Sequence, residues 1–380
     1  MSGSWVLSEE SFWPAKFVET FKLRGAVGEA GKAPGAFDAT RTWNPVAAEG
    51  GLPGFTPGQL GNPNLGPERT RETEYGFDAG FLDGRLGLVF TAFSARTNDA
   101  IINVAYPPSQ GFTSNQPENV GVIKSTGFEA QFTGNVDLTS WAKLEARLQF
   151  TKLKSEAVDL GGRVIAIDAL SRSYVQEGLP LPAYVGRRVK NANAFEAPIV
   201  EENQFLGQTF ADKIINPSVT LTLFRNLTVE AIGEFQRGGH LLNGSGFQNA
   251  GLGIWQPCFA AQKALRAAAA GDASALAGVS AYQRMRCAIN AADRDYSYWV
   301  ESADFFKLRN LSVSYDVPKR YLPRTRSMTV SFAGRNLFRS TDYTGTDPEV
   351  ADQRTSTFSR RDYYNFPPYR TFLFSVRTNF

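Results

Sequence analysis

Residues 123–154 read IKSTGFEAQFTGNVDLTSWAKLEARLQFTKLK. Phe128, Ala130 and Phe132 fall on one side of a period-two pattern, and Glu129, Gln131 and Thr133 on the other. After the short stretch Val136-Asp137-Leu138-Thr139-Ser140 the pattern resumes. Leu144, Ala146, Leu148 and Phe150 then oppose Lys143, Glu145, Arg147 and Gln149. These are two strands of ten residues or more, joined by a tight turn, each with one apolar and one charged face. Lipid on one side and a polar lumen on the other require that arrangement. A soluble antiparallel sheet with one wet face alternates equally well, so the connections have to decide.

Working outward, the same period places about ten strands, near 17–28, 70–81, 86–97, 123–134, 141–154, 212–224, 227–237, 303–317, 327–338 and 368–380. In 227–237, Leu227, Val229, Ala231 and Phe235 oppose Glu230, Glu234 and Gln236. In 327–338, Met328, Val330 and Phe332 oppose Thr329, Ser331 and Arg335. The strand at 303–317 changes parity near Arg309-Asn310, where a β-bulge is expected. Short connections (Leu82-Asp83-Gly84-Arg85, 136–140, Phe224-Arg225-Asn226 and 318–326) alternate with long ones at 29–69, 98–122, 155–211, 238–302 and 339–367. A soluble β-sandwich has no reason to alternate in this way. An outer-membrane barrel does, because its periplasmic turns are short and its extracellular loops long. The expected fold is therefore all-β, an antiparallel transmembrane β-barrel segment.

Composition agrees. Of 380 residues, Phe accounts for 29, Tyr for 13 and Gly for 35, while Met is 3, which reads as β rather than helical. A single His, His240, excludes metal sites that need two imidazoles. A net charge of +3 implies no nucleic-acid partner. No apolar run approaches the roughly eighteen residues of a transmembrane helix. The opening MSGSWVLSEE lacks the basic-then-apolar pattern of a signal peptide, so none is expected in the chain as written.

Several sequence blocks stand out in order along the chain. They are Trp5-Val6-Leu7-Ser8-Glu9-Glu10 with 21–28, Gly61-Asn62-Pro63-Asn64-Leu65-Gly66-Pro67-Glu68-Arg69-Thr70 leading into Glu74-Tyr75-Gly76-Phe77-Asp78, and Asn119-Val120-Gly121 with Gly127-Phe128-Glu129. The later blocks are 305–315, Gly334-Arg335-Asn336-Leu337-Phe338 and Thr344-Gly345-Thr346-Asp347-Pro348-Glu349-Val350. In this order, and covering nearly the whole chain, they resemble the C-terminal part of the SusC/RagA type of TonB-linked outer-membrane proteins. The resemblance implies about ten strands of a barrel of roughly 22 around a plugged lumen, serving active import of oligosaccharides or peptides. It also implies partners: outer-membrane lipid, a plug domain and the TonB complex reached through it, a SusD-like surface lipoprotein, and the barrel-assembly machinery. It calls for no cofactor and no catalytic residue. Ten strands alone would leave two open edges in lipid, so the chain by itself is not expected to be a working transporter. A ten-stranded hydrolase and a non-transporting or degenerate surface barrel are the other readings.

Candidate residues follow from position. The final strand alternates Phe372, Phe374 and Val376 and closes on Phe380, resembling the terminal signal read by barrel-assembly machinery. Trp43, Tyr106, Tyr174, Phe247, Trp255 and Tyr343 lie on long segments, where sugar rings and peptide side chains stack on aromatic platforms. Tyr296, Tyr298 and Trp299, near a strand start, suit the membrane-interface girdle better. The segment 238–302 is an insert with two Ala-rich helices, 261–270 and 275–289, Ser274 capping the second. Cys258 and Cys287 flank them, and an oxidising surface makes a disulfide plausible, while two free thiols are the alternative. A hydrolase would work through His240. Asp342, Asp347, Glu349 and Asp352 are the carboxylates that could take calcium, although no EF-hand-like spacing supports it, and Asp347-Pro348 reads as a turn.

Overall fold

The computed structural model describes the chain except residues 16, 105, 108, 110, 113, 114, 169, 171 and 351–359. Its main body is one antiparallel sheet of eleven strands. They are β1 (Ser2–Val6), β2 (Val18–Lys32), β3 (Glu68–Phe81), β4 (Leu86–Asn98), β5 (Val122–Thr139), β6 (Ala142–Asp159), β7 (Lys213–Leu223), β8 (Leu227–Arg237), β9 (Phe305–Asp316), β10 (Ser327–Thr341) and β11 (Thr371–Asn379). Each strand pairs with the next along the chain, so the sheet is an up-and-down meander with β1 and β11 at its two ends. All ten expected strands are present. The eleventh, β1, is too short for its period to stand out, and only its pairing with β2 from Ser2↔Ala26 to Val6↔Lys22 makes it a strand.

The two faces are those expected from the alternation. On the outward face aromatic rings stand side by side across β2 to β6, with centroids 5.6 Å apart for Phe21 and Phe77, 5.6 Å for Phe77 and Phe90, 5.8 Å for Phe90 and Phe128, and 5.4 Å for Phe128 and Phe150. Each contact adds about 0.5–1.5 kcal/mol to the burial of its rings in lipid. On the inward face Arg24 meets Asp78 at 2.9 Å and the Thr91 hydroxyl at 2.9 Å. Gly76 sits between them because a Cβ there would lie 2.1 Å from the Phe90 carbonyl oxygen. The parity change at Arg309–Asn310 is a register irregularity on both flanks of β9, between Ile232 and Gly233 and between Leu308 and Asn310.

The short connections all lie at one end of the sheet. Leu82, Asp83 and Gly84 take positive φ, and the Glu19 carboxylate accepts from the Asp83 and Gly84 amides at 2.5 and 3.0 Å. Phe224 and Arg225 likewise take positive φ, matching a two-residue hairpin turn. The turn after β5 falls at Ser140-Trp141 rather than over 136–140. Val136 and Leu138 keep the outward period, so the ladder continues to Thr139, and Trp141 stacks on Phe224 at 5.1 Å.

At the other end the long segments fold. They contain hairpins (Trp43–Ala47 with Pro53–Pro57, and Ile101–Val104 with Gln116–Asn119) and a four-stranded sheet over 165–208. Three helices also lie there: α1 (Gly244–Gly251), α2 (Phe259–Ala269) and α3 (Ala281–Arg286). Two helices were expected from the sequence; α1, capped by Asn243, is additional. Ser274 does not cap α3. Ser280 does, in a capping box with Gln283, while the Ser274 hydroxyl donates to Asp272 at 2.6 Å.

Candidate functional site

The inner wall of the sheet and the folded loops above it enclose the polar side of the molecule. The loops form a connected body. His240–Asn243 pairs antiparallel with Val300–Ser302 and parallel with Arg361–Asp362, joining the helical segment to the last long loop. Side chains repeat that junction. Asn243 Nδ2 donates to Glu301 and to Thr344, each at 3.0 Å. The Ser245 hydroxyl donates to Asp362 at 3.0 Å and the Tyr343 hydroxyl at 2.9 Å.

The body has its own core: Tyr184, Leu242, Tyr298, Trp299 and the Cys258–Cys287 disulfide, whose Cα atoms are 5.4 Å apart. Arg286 runs through it, its guanidinium 4.1 Å from the Trp299 ring and 2.6 Å from Glu301. A second small core of Val120, Ala157, Leu160, Ile165 and Val175 seats the four-stranded sheet on the outer end of β6.

One ionic network ties the last loop to the wall. Lys307 on β9, its side chain 3% exposed, donates to Asp347 at 2.7 and 2.8 Å and to Glu349. Arg309 bridges Glu349 and, at 2.6 Å, Glu234 on β8. Arg339 reaches Asp347 at 2.9 Å. Burial opposes ionisation of Asp347 and Glu349, but these cations outweigh it and hold both carboxyls below the ordinary carboxylate range. Asp362 is shifted the other way: burial raises it, and the Tyr343 and Ser245 hydroxyls offset only part.

A pH dependence follows with its sign. Carboxyls depressed in the fold contribute stability that is fully present above their unfolded pKa, about 4, and lost as pH falls through the lower folded values. Asp362, raised in the fold, contributes in the opposite direction, losing stability as pH rises. Hydrogen-exchange protection of residues 342–350 is expected to be flat from neutral pH to about pH 5 and to fall below about pH 4. Protection that rises on acidification would mean that Asp362, not the Lys307 network, dominates.

The sequence-selected residues are dispersed. Trp43 is 53% exposed on its hairpin, with its ring 6.0 Å from Phe112. The Tyr106 hydroxyl donates to Glu118. Tyr174 lines a cleft of about 390 Å³ with Val164, Arg172, Gln176, Arg187 and Glu202. Phe247 stacks on Tyr296 at 3.9 Å, and Trp255 packs edge-on to Trp299 at 6.0 Å. Tyr343 is buried in the loop junction, and burial together with Asp362 pushes its hydroxyl far above the ordinary tyrosine range. Tyr298 and Trp299 are also buried, in the loop core rather than at the membrane girdle, because partners distant in sequence cover them. His240 is half-buried against Gly207, and burial lowers its imidazole pKa. Asp347 and Glu349 are taken up by ammonium and guanidinium groups; Asp352 lies outside the described residues.

The inward Lys307, Arg309 and Glu234 and the loop carboxylates Asp347 and Glu349 are thus brought together. Period and charge alone do not distinguish Lys307 from other inward residues; it lies in the 305–315 block, two residues before the bulge.

Comparison with known proteins completes the description. The family described as "TonB dependent receptor-like, beta-barrel" matches residues 13–337. TonB-dependent receptor P3 of Formosa agariphila is 24% identical over 436 aligned positions, covering 99% of this chain and 41% of the relative. TonB-dependent receptor P39 of the same organism is 34% identical over 127 residues, 33% of this chain and 12% of the relative. Among solved structures, that of the RagAB peptide transporter superposes with a TM-score of 0.79 at 16% identity, over 99% of this chain and 43% of that one. The chain therefore spans about two-fifths of the length of the first of these relatives and of that structure.

Proposed function

Because this chain belongs to the TonB-dependent receptor β-barrel family and so to the bacterial outer membrane, we propose that it is the C-terminal part of an energised importer of oligosaccharides or peptides. The observation that carries the reading is the loop body. Residues from the fourth and fifth long segments interlock through one small sheet directly above a charged inner wall. Such a body gives a rigid extracellular face on which specificity resides, with polar groups below it to meet water or a plug.

The ends of the sheet support the larger assembly. β1 and β11 each have one unpaired side among the described residues, and a membrane-spanning sheet needs its edges closed. Further strands and a plug domain would close it, and the plug would connect it to the TonB complex. A SusD-like lipoprotein would lie over the loops. β11, with Phe372, Phe374 and Val376 on one face and Phe380 at its end, would be the segment that barrel-assembly machinery engages. Trp43, exposed on its hairpin, and Tyr174, lining its cleft, are aromatic positions open to a ligand; Tyr343 would act indirectly, holding Asp362. The likeness to the RagAB transporter is one of fold at 16% identity and does not choose between peptide and sugar.

The test uses the intact receptor in cells of the source bacterium. Uptake of labelled peptide and oligosaccharide pools should fall to background on deletion of the receptor gene and on dissipation of the proton gradient. Trp43→Ala with Tyr174→Ala should lower uptake of one pool severalfold at unchanged receptor level. Uptake of both pools unaffected by deletion would sink the importer reading.

A further inference from the structure

On the outward face between β2 and β6, charge concentrates at the extracellular end. Register places Glu29, Arg71, Arg96, Lys124 and Glu156 side by side in one row across five strands. The row shares its parity with Phe77, Phe90 and Phe128, so it faces the membrane rather than the lumen. Beneath it lies a row containing Thr73, Ser94, Thr126 and Lys154. The row below that contains Tyr75, Ala92, Phe128, Lys152 and Lys213. The order on descending is therefore cations, hydroxyls, then aromatics edged by lysines.

Depth fixes what this surface meets. A tilted strand advances about 2.5 Å along the membrane normal per residue. Lys124 stands four residues beyond Phe128, hence roughly 10 Å above the aromatic rim, at the level of the lipid headgroups. The three cations stand next to one another, with a carboxylate only at each end of the row. Three like charges directly opposite one another destabilise a sheet. The flanking carboxylates are engaged elsewhere, Glu29 by Arg69 at 3.7 Å and Glu156 by Lys154 at 2.5 Å. Arg71, Arg96 and Lys124 are exposed, and none of the three forms an ion pair among the described residues.

We propose that Arg71, Arg96 and Lys124, with Lys152 at their edge, form a binding site for the phosphate groups of outer-leaflet glycolipid on the outside of the barrel. Charge complementarity selects an anion, and the position beside the long loops selects the outer leaflet. Guanidinium groups receive phosphate oxygens in pairs, and the hydroxyls of Thr73, Ser94 and Thr126 lie where sugar and phosphate oxygens need partners. The site is independent of what the receptor imports.

The experiment measures binding of bis-phosphorylated lipid A to the full-length receptor in non-ionic detergent, by native mass spectrometry at fixed ionic strength. The unaltered protein should retain bis-phosphorylated lipid A at least tenfold better than lipid A stripped of phosphate, with the preference shrinking as salt rises. R71Q/R96Q/K124Q should lose about tenfold or more in affinity, while R71K/R96K keeps most of it. Barrel integrity in each variant is read from heat-modifiable electrophoretic mobility. Equal retention of the two lipid A forms by the unaltered protein would overturn the proposal without reference to any variant. So would equal competition by phosphatidylglycerol, or unchanged binding by a folded triple variant.

Discussion

Lys307→Met is expected to release the last extracellular loop from the barrel wall. The ammonium is buried and contacts both oxygens of Asp347 as well as Glu349. Its removal leaves Asp347 buried and Glu349 largely buried, met among the described residues by Arg309, Arg339 and the Glu349 amide. Breaking a buried ion network by deleting one partner costs about 3–5 kcal/mol, because the remaining charges stay desolvated. Exchange of amides 342–350 in the detergent-solubilised receptor should accelerate by two to three orders of magnitude, while the ladder between β9 and β10 stays protected. The control is the triple replacement K307M/D347L/E349L. With the buried ammonium and both loop carboxylates gone, Arg309 keeps Glu234 and Arg339 is left partly exposed, so protection should recover part of the way. If Lys307→Met leaves these amides as slow as before, the network does not hold the loop.

Trp299→Ala should dismantle the loop core without opening the sheet. The indole is 1% exposed and packs on Trp255, and the Arg286 guanidinium lies on its face at 4.1 Å. Emptying such a site costs about 3–5 kcal/mol from lost transfer and cavity, and Arg286 loses an aromatic contact of about 0.5–2 kcal/mol besides. Gly246 shows how closely the ring is held, since a Cβ there would lie 2.5 Å from it. Limited proteolysis reads the outcome. The variant should be cut between Cys258 and Cys287, yielding separate fragments only after reduction, since the disulfide spans that interval. Resistance equal to that of the unaltered protein would show that the core is held by other contacts.

The barrel strands were legible because their two faces meet different solvents. Lipid and a polar lumen mark every second residue, so Phe128, Ala130 and Phe132 separate from Glu129, Gln131 and Thr133 before any contact is known. The same marking exposed the bulge, since an extra residue in β9 moves Leu311 and Val313 to the other parity from Phe306 and Leu308. Even the turn misplaced by a few residues, at Ser140-Trp141, obeys the rule, because Val136 and Leu138 carry the period further than their polar neighbours implied.

The loops carry no such marking. Their aromatics are the same residue types whether they end as ligand platforms, girdle or core. Tyr343 and Trp299 became buried through Asp362, Arg286 and Trp255, partners up to 44 positions away in the chain. The capping residue of α3 depended on where a short 3₁₀ turn at Ala273–Gly278 ended, so Ser280 rather than Ser274 took that place. What the amino-acid order determined by itself was the number and direction of the long strands, the side each residue faces, and the end at which the loops gather, since all of these are local consequences of solvent on two sides of a pleated strand. Only the tertiary structure decided which carboxylate meets Lys307, that Arg71, Arg96 and Lys124 stand in one row, and that two loops close into one body. Those relations depend on register between strands and on contacts across loops, and no single segment contains them.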